Sequence, residues 1–279
     1  MRKSRDKNTE RKPILKFGWA FLIAFVFVQS VLTLAGCQSR APKVLNDSVA
    51  VEQTDSIVFS HEEEHLVCNI VALMPDAAVR KGVGEWLDTQ FGKSYFGDKS
   101  DIETMVEFYG KFYTDSLRSI YAEGVVEDMV LGYNAEMSKL FESDKVVTYG
   151  MMISYEIGGP HPLTSFFGAT FRKDNGQQLT WDIVKKERME GFRSVIREKL
   201  KGYFEVNTEE DFVDCLQGVE DVNHIPLPAT APYMIDGGLA FIYQQYEIAA
   251  YALGMPNDTI SFQQLRPYLT EQARQLIER

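Results

Sequence analysis

From Ser56 the chain reads as two short β-branched-rich runs, Ser56-Ile57-Val58-Phe59 and Leu66-Val67-Cys68-Asn69-Ile70-Val71, around a polar turn, which predicts a hairpin. The spacing then changes to that of helices. One is expected from Asp76 to about Phe91, and a longer one from Ser100, where Ser100-Asp101-Ile102-Glu103 has the capping-box pattern. The long helix places Ile102, Met105, Val106, Tyr109, Phe112, Tyr113, Leu117, Ile120 and Tyr121 along one side, a core stripe, and Gly124 is a suitable stop. Next comes a period of two: Val147, Tyr149, Met151, Ile153, Tyr155 and Ile157 alternate with Thr148, Gly150, Ser154 and Glu156, as in a strand. Gly158-Gly159-Pro160-His161-Pro162 breaks it and Thr164 to Arg172 resumes it. Asp174-Asn175-Gly176 is a turn signal, because Asn-Gly accepts positive φ, and Gln178-Leu179-Thr180-Trp181 is expected as the returning strand. Met189 to Phe204 has helical spacing. A second hairpin at Asp236-Gly237-Gly238 joins Tyr233-Met234-Ile235 to a run from Leu239 through Ile248, and a strand near Thr259-Ile260 leads into a last helix. The pattern predicts an α+β fold, an antiparallel β-sheet with packed helices, in two subdomains over 56–150 and 151–279. No repeat of fixed period interrupts it.

The first 36 residues follow a different logic. Arg2, Lys3, Arg5, Lys7, Arg11, Lys12 and Lys16 precede an unbroken apolar run from Trp19 to Val28, and Leu34-Ala35-Gly36-Cys37 matches the bacterial lipobox. A membrane span over Trp19–Gly36 is the competing interpretation, but the small residues before Cys37 favour a lipoprotein signal peptide at 1–36. The expectation is cleavage before Cys37, lipid (diacylglyceryl and palmitate-type chains) on its sulfur, and a flexible lipidated tether over 37–55. The localisation that follows is extracytoplasmic, a lipoprotein anchored to a membrane of the bacterial cell envelope.

Removing the signal takes seven of the 29 basic and two of the 40 acidic residues, leaving 22 against 38 in 243 residues, a net charge of −16. Such acidity excludes nucleic acid, whose phosphates require displacing cations, and favours basic partners. In an exported protein the remaining Cys68 and Cys215 are either a disulfide or two free thiols packed as small apolar groups.

Little of the catalytic chemistry on offer fits its surroundings. His61-Glu62-Glu63-Glu64-His65 matches H-E-x-x-H, which binds zinc only when a helix puts both histidines on one face, and its flanks here are strand-like. Gly92-Lys93-Ser94 lacks the upstream glycine of a phosphate-binding loop. Neither a metal nor a cofactor is expected. Glu156 and Glu247 stand at the ends of two strand patterns and are the candidate catalytic pair if the protein is a polysaccharide or peptidoglycan hydrolase.

Two further motifs occur in order. Tyr155-Glu156-Ile157-Gly158-Gly159-Pro160-His161-Pro162 is followed by an aromatic strand, Asn175-Gly176 and Leu179-Thr180-Trp181-Asp182-Ile183; later come Asp236-Gly237-Gly238-Leu239-Ala240-Phe241-Ile242-Tyr243 and Tyr246-Glu247-Ile248-Ala249-Ala250-Tyr251-Ala252-Leu253-Gly254. Together, over about Met151–Leu269, they resemble the RsiV-type C-terminal domain of unknown function, with Ala250 in place of that family's usual proline. The resemblance implies an extracytoplasmic, non-catalytic module, known from an anti-sigma factor that senses lysozyme and from the neighbours of peptidoglycan deacetylase domains. It points to lysozyme or peptidoglycan as partner and to His161, Tyr246, Glu247 and Tyr251 as the binding region. His161 is expected to orient its turn through backbone hydrogen bonds, and Tyr246 and Tyr251 to be sheet-core aromatics. A structural subunit of an envelope complex is the third alternative.

Overall fold

The structure, a computed structural model, describes residues 49–51, 56–124 and 129–277. The signal segment 1–36, Cys37 and most of the tether lie outside the described residues. The α+β expectation holds, as three layers. The central sheet has six strands in the order β1 (Val49–Val51), β2 (Ser56–Glu63), β3 (Leu66–Leu73), β4 (Leu131–Glu142), β5 (Val146–Glu156) and β6 (Leu163–Arg172). All pairs are antiparallel except β3–β4, which is parallel because α1 (Arg80–Gln90) and α2 (Ile102–Ala122) form a crossover between them. The sheet is therefore mixed rather than wholly antiparallel. Val49–Val51 pairs with Ile57–Phe59, so part of the segment expected as tether is an edge strand.

The helices α1 and α2 cover one face. Their core joins Val83, Trp86, Leu87, Met105, Val106, Tyr109 and Leu117 to the inward residues Phe59, Ile70, Val147, Tyr149, Met151 and Phe171. The cap of α2 is Asp101, whose Oδ1 accepts the Thr104 N–H at 3.1 Å, one residue later than the capping-box pattern suggested, because Ser100 is held by Asp98 instead. Gly124 ends the helix as expected, at φ +68°. At the end of α1, Tyr109 Oη donates to Asp88 Oδ1 (2.5 Å) and accepts the N–H groups of Ser94 (2.7 Å) and Tyr95 (3.1 Å), while Lys99 Nζ binds Asp88 Oδ2 at 2.8 Å. Burial pushes the Asp88 carboxyl up, yet the hydrogen bonds from Lys99, Tyr109 and the Tyr95 N–H outweigh it and hold it below the usual range. The loop between α1 and α2 is thus fixed from three sides.

The other face of the sheet carries a second layer: α3 (Met189–Tyr203), α4 (Glu209–Cys215), a three-stranded antiparallel sheet of β7 (Tyr233–Ile235), β8 (Gly238–Ile242) and β9 (Asn257–Ser261), and the short helices α5 (Phe262–Leu265) and α6 (Glu271–Ile277). Its core gathers Phe192, Ile196, Leu200, Phe212, Met234, Phe241, Tyr243 and Ile260. The polar alternates of β5 and β6 lie under this layer. Thr148 and Thr170 are fully buried, their hydroxyls 2.8 Å apart, and Thr170 Oγ1 accepts the Met234 N–H at 2.7 Å. At Gly168 an added Cβ would stand 2.2 Å from the Tyr233 ring, so glycine is what lets β7 approach.

Several boundaries moved. The division expected at 150/151 falls inside β5, whose two faces feed both cores, and the chain passes from one core to the other after β6. The return at Gln178–Trp181 reduces to a bridge between Phe171 and Gln178 before a turn of 3₁₀ helix over Trp181–Ile183. The strand begun at Leu239 stops at Ile242, because the chain leaves the ladder for a loop at Gln244. The Cys68–Cys215 disulfide alternative is corrected: both thiols are free. Cys68 is buried in the helix-side core, where its thiol donates to Gly110 O at 3.6 Å, and Cys215 closes α4 in the other layer.

Gly110 in mid-α2 lets the helix sit on Phe59, since a Cβ there would meet the Phe59 ring at 2.3 Å. Helix propensity alone favours alanine by about 1 kcal/mol, but overpacking a buried ring costs about 1–3 kcal/mol. Gly110→Ala is therefore expected to lower stability in urea unfolding; an increase would show that α2 does not bear on the sheet there.

Candidate functional site

The residues singled out between β5 and β6 and after β8 meet at one end of the central sheet. Gly158, at φ +91°, opens the β5–β6 turn and puts His161 at its far side. The loop after β8 reaches the same place through its side chains. Gln244 Oε1 accepts the Phe166 N–H (3.0 Å), its Nε2 donates to Phe166 O (2.8 Å), and Gln245 Oε1 accepts the Thr164 N–H (3.1 Å). Two glutamine side chains thus take the place of a partner strand along the outer edge of β6.

Glu247 completes the loop. Its Oε1 accepts the Ala229 N–H at 2.7 Å and its Oε2 the Gln244 N–H at 2.8 Å, so both oxygens are committed to backbone. Between clamp and carboxylate, Tyr246 is held at φ +65°, a left-handed conformation costing a non-glycine residue about 1–3 kcal/mol. The result is an aromatic group facing solvent.

His161 and Tyr251 stack face to face, with ring centroids 3.5 Å apart and planes 13° from parallel. The Tyr246 ring lies 5.9 Å from that of Tyr251, and its hydroxyl is 3.2 Å from His161 Nε2. His161 Nδ1 faces Pro162 O at 3.3 Å, and a carbonyl only accepts. The proton of the neutral ring therefore sits on Nδ1, and Nε2 accepts from the Tyr246 hydroxyl. Tyr246 is 53% exposed, and His161 and Tyr251 are partly so. Leu163 and Leu253, both exposed, flank the group.

Sequence reasoning placed these residues together but assigned some roles differently. His161 does bond backbone, as expected. Tyr246 and Tyr251 are not sheet-core aromatics: β8 ends before them, and the clamp and the left-handed Tyr246 turn them outward. Of the alternative pair, Glu247 is occupied by two N–H groups, and Glu156, half-buried at the end of β5, accepts the Gly158 N–H of its own turn at 3.4 Å. The glutamine clamp was not foreseen, since Gln244 and Gln245 fit no periodic pattern. His61 and His65 share no helix: His61 is buried on β2, 2.7 Å from Glu63 and bonded to Arg118, and His65 stacks on Tyr121.

Glu247→Ala leaves the partly buried Gln244 N–H without its acceptor, at about 1–3 kcal/mol, while the N–H of the exposed Ala229 turns to water. The expected outcome is a lower melting temperature; an unchanged one would mean that the carboxylate is free for other work.

Comparisons with known proteins bear on the fold. A search of curated proteins finds no match. Similar solved structures include that of a DUF3298 family member from Bacteroides fragilis, 19% identical, with a TM-score of 0.63 over 81% of this chain and 97% of that one. Another is a DUF3298 family protein from Pseudomonas aeruginosa, 11% identical, with a TM-score of 0.56 over 80% and 97%. Residues 181–263, which carry Tyr246, Glu247 and Tyr251, match the family described as "Protein of unknown function (DUF3298)", and the chain therefore contains a DUF3298 domain.

Proposed function

We propose that the protein is a lipid-anchored, non-catalytic binding module of the bacterial cell envelope, and that His161, Tyr246 and Tyr251 form its contact surface. The observation that carries this reading is the solvent-facing aromatic group built by the glutamine clamp and the strained Tyr246 backbone. Strain retained at an exposed position is a cost that folding alone does not require, and aromatic side chains on a rigid support dominate binding energies. The lipobox at Leu34–Cys37 supports the anchor, with membrane attachment through lipid on Cys37. The RsiV-type resemblance supports a wall setting, with peptidoglycan or a cationic wall-directed protein such as lysozyme as partner. A net charge of −16 after signal removal favours the cationic protein by long-range attraction. Against the hydrolase alternative stands the commitment of both Glu247 oxygens to backbone.

Calorimetric titration of the mature protein with a cationic lysozyme, at low and high salt, tests the reading, with peptidoglycan fragments titrated in parallel. Saturable binding that survives high salt is expected, weakened about tenfold or more by Tyr251→Ala, which is about 1.4 kcal/mol. Heat that vanishes with salt for lysozyme, with none for the fragments, would reduce the interaction to acidity. Release of sugar ends, abolished by Glu156→Gln, would make the protein an enzyme.

A further inference from the structure

Five uncharged polar side chains stand in one row across the central sheet. Ser60 of β2 pairs with Asn69 of β3, Asn69 with Asn134 of β4, Asn134 with Ser154 of β5, and Ser154 with Thr164 of β6. Their chain neighbours Phe59, Cys68, Tyr133 and Ile153 pack into the helix-side core, so the row lies on the opposite face of the sheet. Ser60 Oγ donates to Asn69 Oδ1 at 2.6 Å, and Asn69 Nδ2 donates to Asn134 Oδ1 at 3.0 Å. Beyond them, Asn134 Nδ2 and the hydroxyls of Ser154 and Thr164 have no protein partner among the described residues. Water reaches the whole row, since Asn134 is exposed and the other four are half-buried. The row ends at Thr164, whose N–H is held by Gln245, the residue before Tyr246, so it runs into the aromatic group at the β6 edge.

We infer that this row is the bed of a neutral, extended β-1,4-linked glycan chain, which lies across the strands and places one end on the rings of His161, Tyr246 and Tyr251. The inference rests on the binding role proposed above for those rings and names the class of ligand. Amides and hydroxyls both donate and accept, as the hydroxyl and acetamido groups of a sugar do, and three of them here are unpaired. Neighbouring strands are about 4.8 Å apart, a repeat close to the length of one pyranose unit in an extended chain, so successive sugars meet successive side chains. Aromatic faces carry negative charge density that suits the C–H face of a sugar ring. The charges beside the row decide the sign of the ligand. Glu62 and Glu156 flank it on one side and Glu136 on the other, and these carboxylates repel an anionic chain. A protein partner fits this row poorly, because the row offers no apolar pocket for the buried anchor residue that dominates protein interfaces.

The test is calorimetric titration of the mature protein with chitohexaose, and with chitobiose and an anionic oligogalacturonate in parallel. Chitohexaose is expected to bind about tenfold or more tightly than chitobiose, because only the longer chain reaches from the rings along the row. Asn134→Ala and Ser154→Ala, at positions open to water, are each expected to weaken chitohexaose about two- to tenfold with the melting temperature unchanged. Proton–nitrogen NMR of the unsubstituted protein gives a readout that needs no variant: the side-chain amide signals of Asn69 and Asn134 should shift as chitohexaose saturates. Binding that depends on Tyr251 but leaves those signals and both variants unaffected, or that is equal for chitobiose, overturns the row and leaves the aromatic surface standing. Equal affinity for oligogalacturonate overturns the assignment to a neutral chain. No binding of chitohexaose, beside salt-resistant lysozyme binding that Tyr251→Ala weakens, overturns the glycan inference alone; absence of both overturns it together with the binding role of the rings.

Discussion

Three polar side-chain atoms decide where the exposed aromatic residues stand. The outer edge of β6 has backbone groups that a strand would normally satisfy, and here the amides of Gln244 and Gln245 satisfy them at Thr164 and Phe166. Two consequences follow from that substitution. The edge is closed to another chain, which removes an aggregation hazard. The loop that supplies the glutamines is also drawn against the β5–β6 turn, and this brings Tyr246 and Tyr251 to His161. Were the loop paired by its backbone instead, side chains would alternate across a strand and the two tyrosines could not share one surface with the histidine.

The rest of the molecule makes that placement rigid. β5 is buried on both faces over Val146–Met151, and toward the turn Ile153, Tyr155 and Ile157 pack partly buried against the helix-side core while Met152 packs against Phe166 and Tyr233 on the other side. The contact with the second layer depends on small and hydroxyl-bearing alternates: Gly168 admits the Tyr233 ring, and Thr148 and Thr170 meet each other and the Met234 backbone. Glu247 then ties the loop to Ala229, in the segment before β7. A site on such a support can hold a strained residue, and Tyr246 is one.

Much of this was legible in the chain. The alternation over Val147–Ile157, the Gly158-Gly159-Pro160-His161-Pro162 break and most of the helical stripe of α2 follow from local periodicity and appear where it puts them, whereas Phe112, expected in that stripe, is 46% exposed. Periodicity does not report what covers a polar alternate, so Thr148 and Gly150 gave no hint of a second layer. Nor does it set strand direction across a long connection, which is why the parallel β3–β4 pair was not foreseen. At the site, motif order put His161, Tyr246, Glu247 and Tyr251 in one group, and the structure brings the three rings together while Glu247 bonds backbone. Their roles depended on tertiary hydrogen bonds from Gln244 and Gln245, contacts separated by about eighty residues that no local pattern carries.

The central claim is that the glutamine clamp builds the aromatic surface, and proton NMR of the Gln244→Ala, Gln245→Ala double variant tests it most directly. The cross-peak between the stacked His161 and Tyr251 rings should be present in the unsubstituted protein and lost in the variant, with the rest of the spectrum retaining its dispersion. A cross-peak of undiminished intensity in the variant would contradict the account.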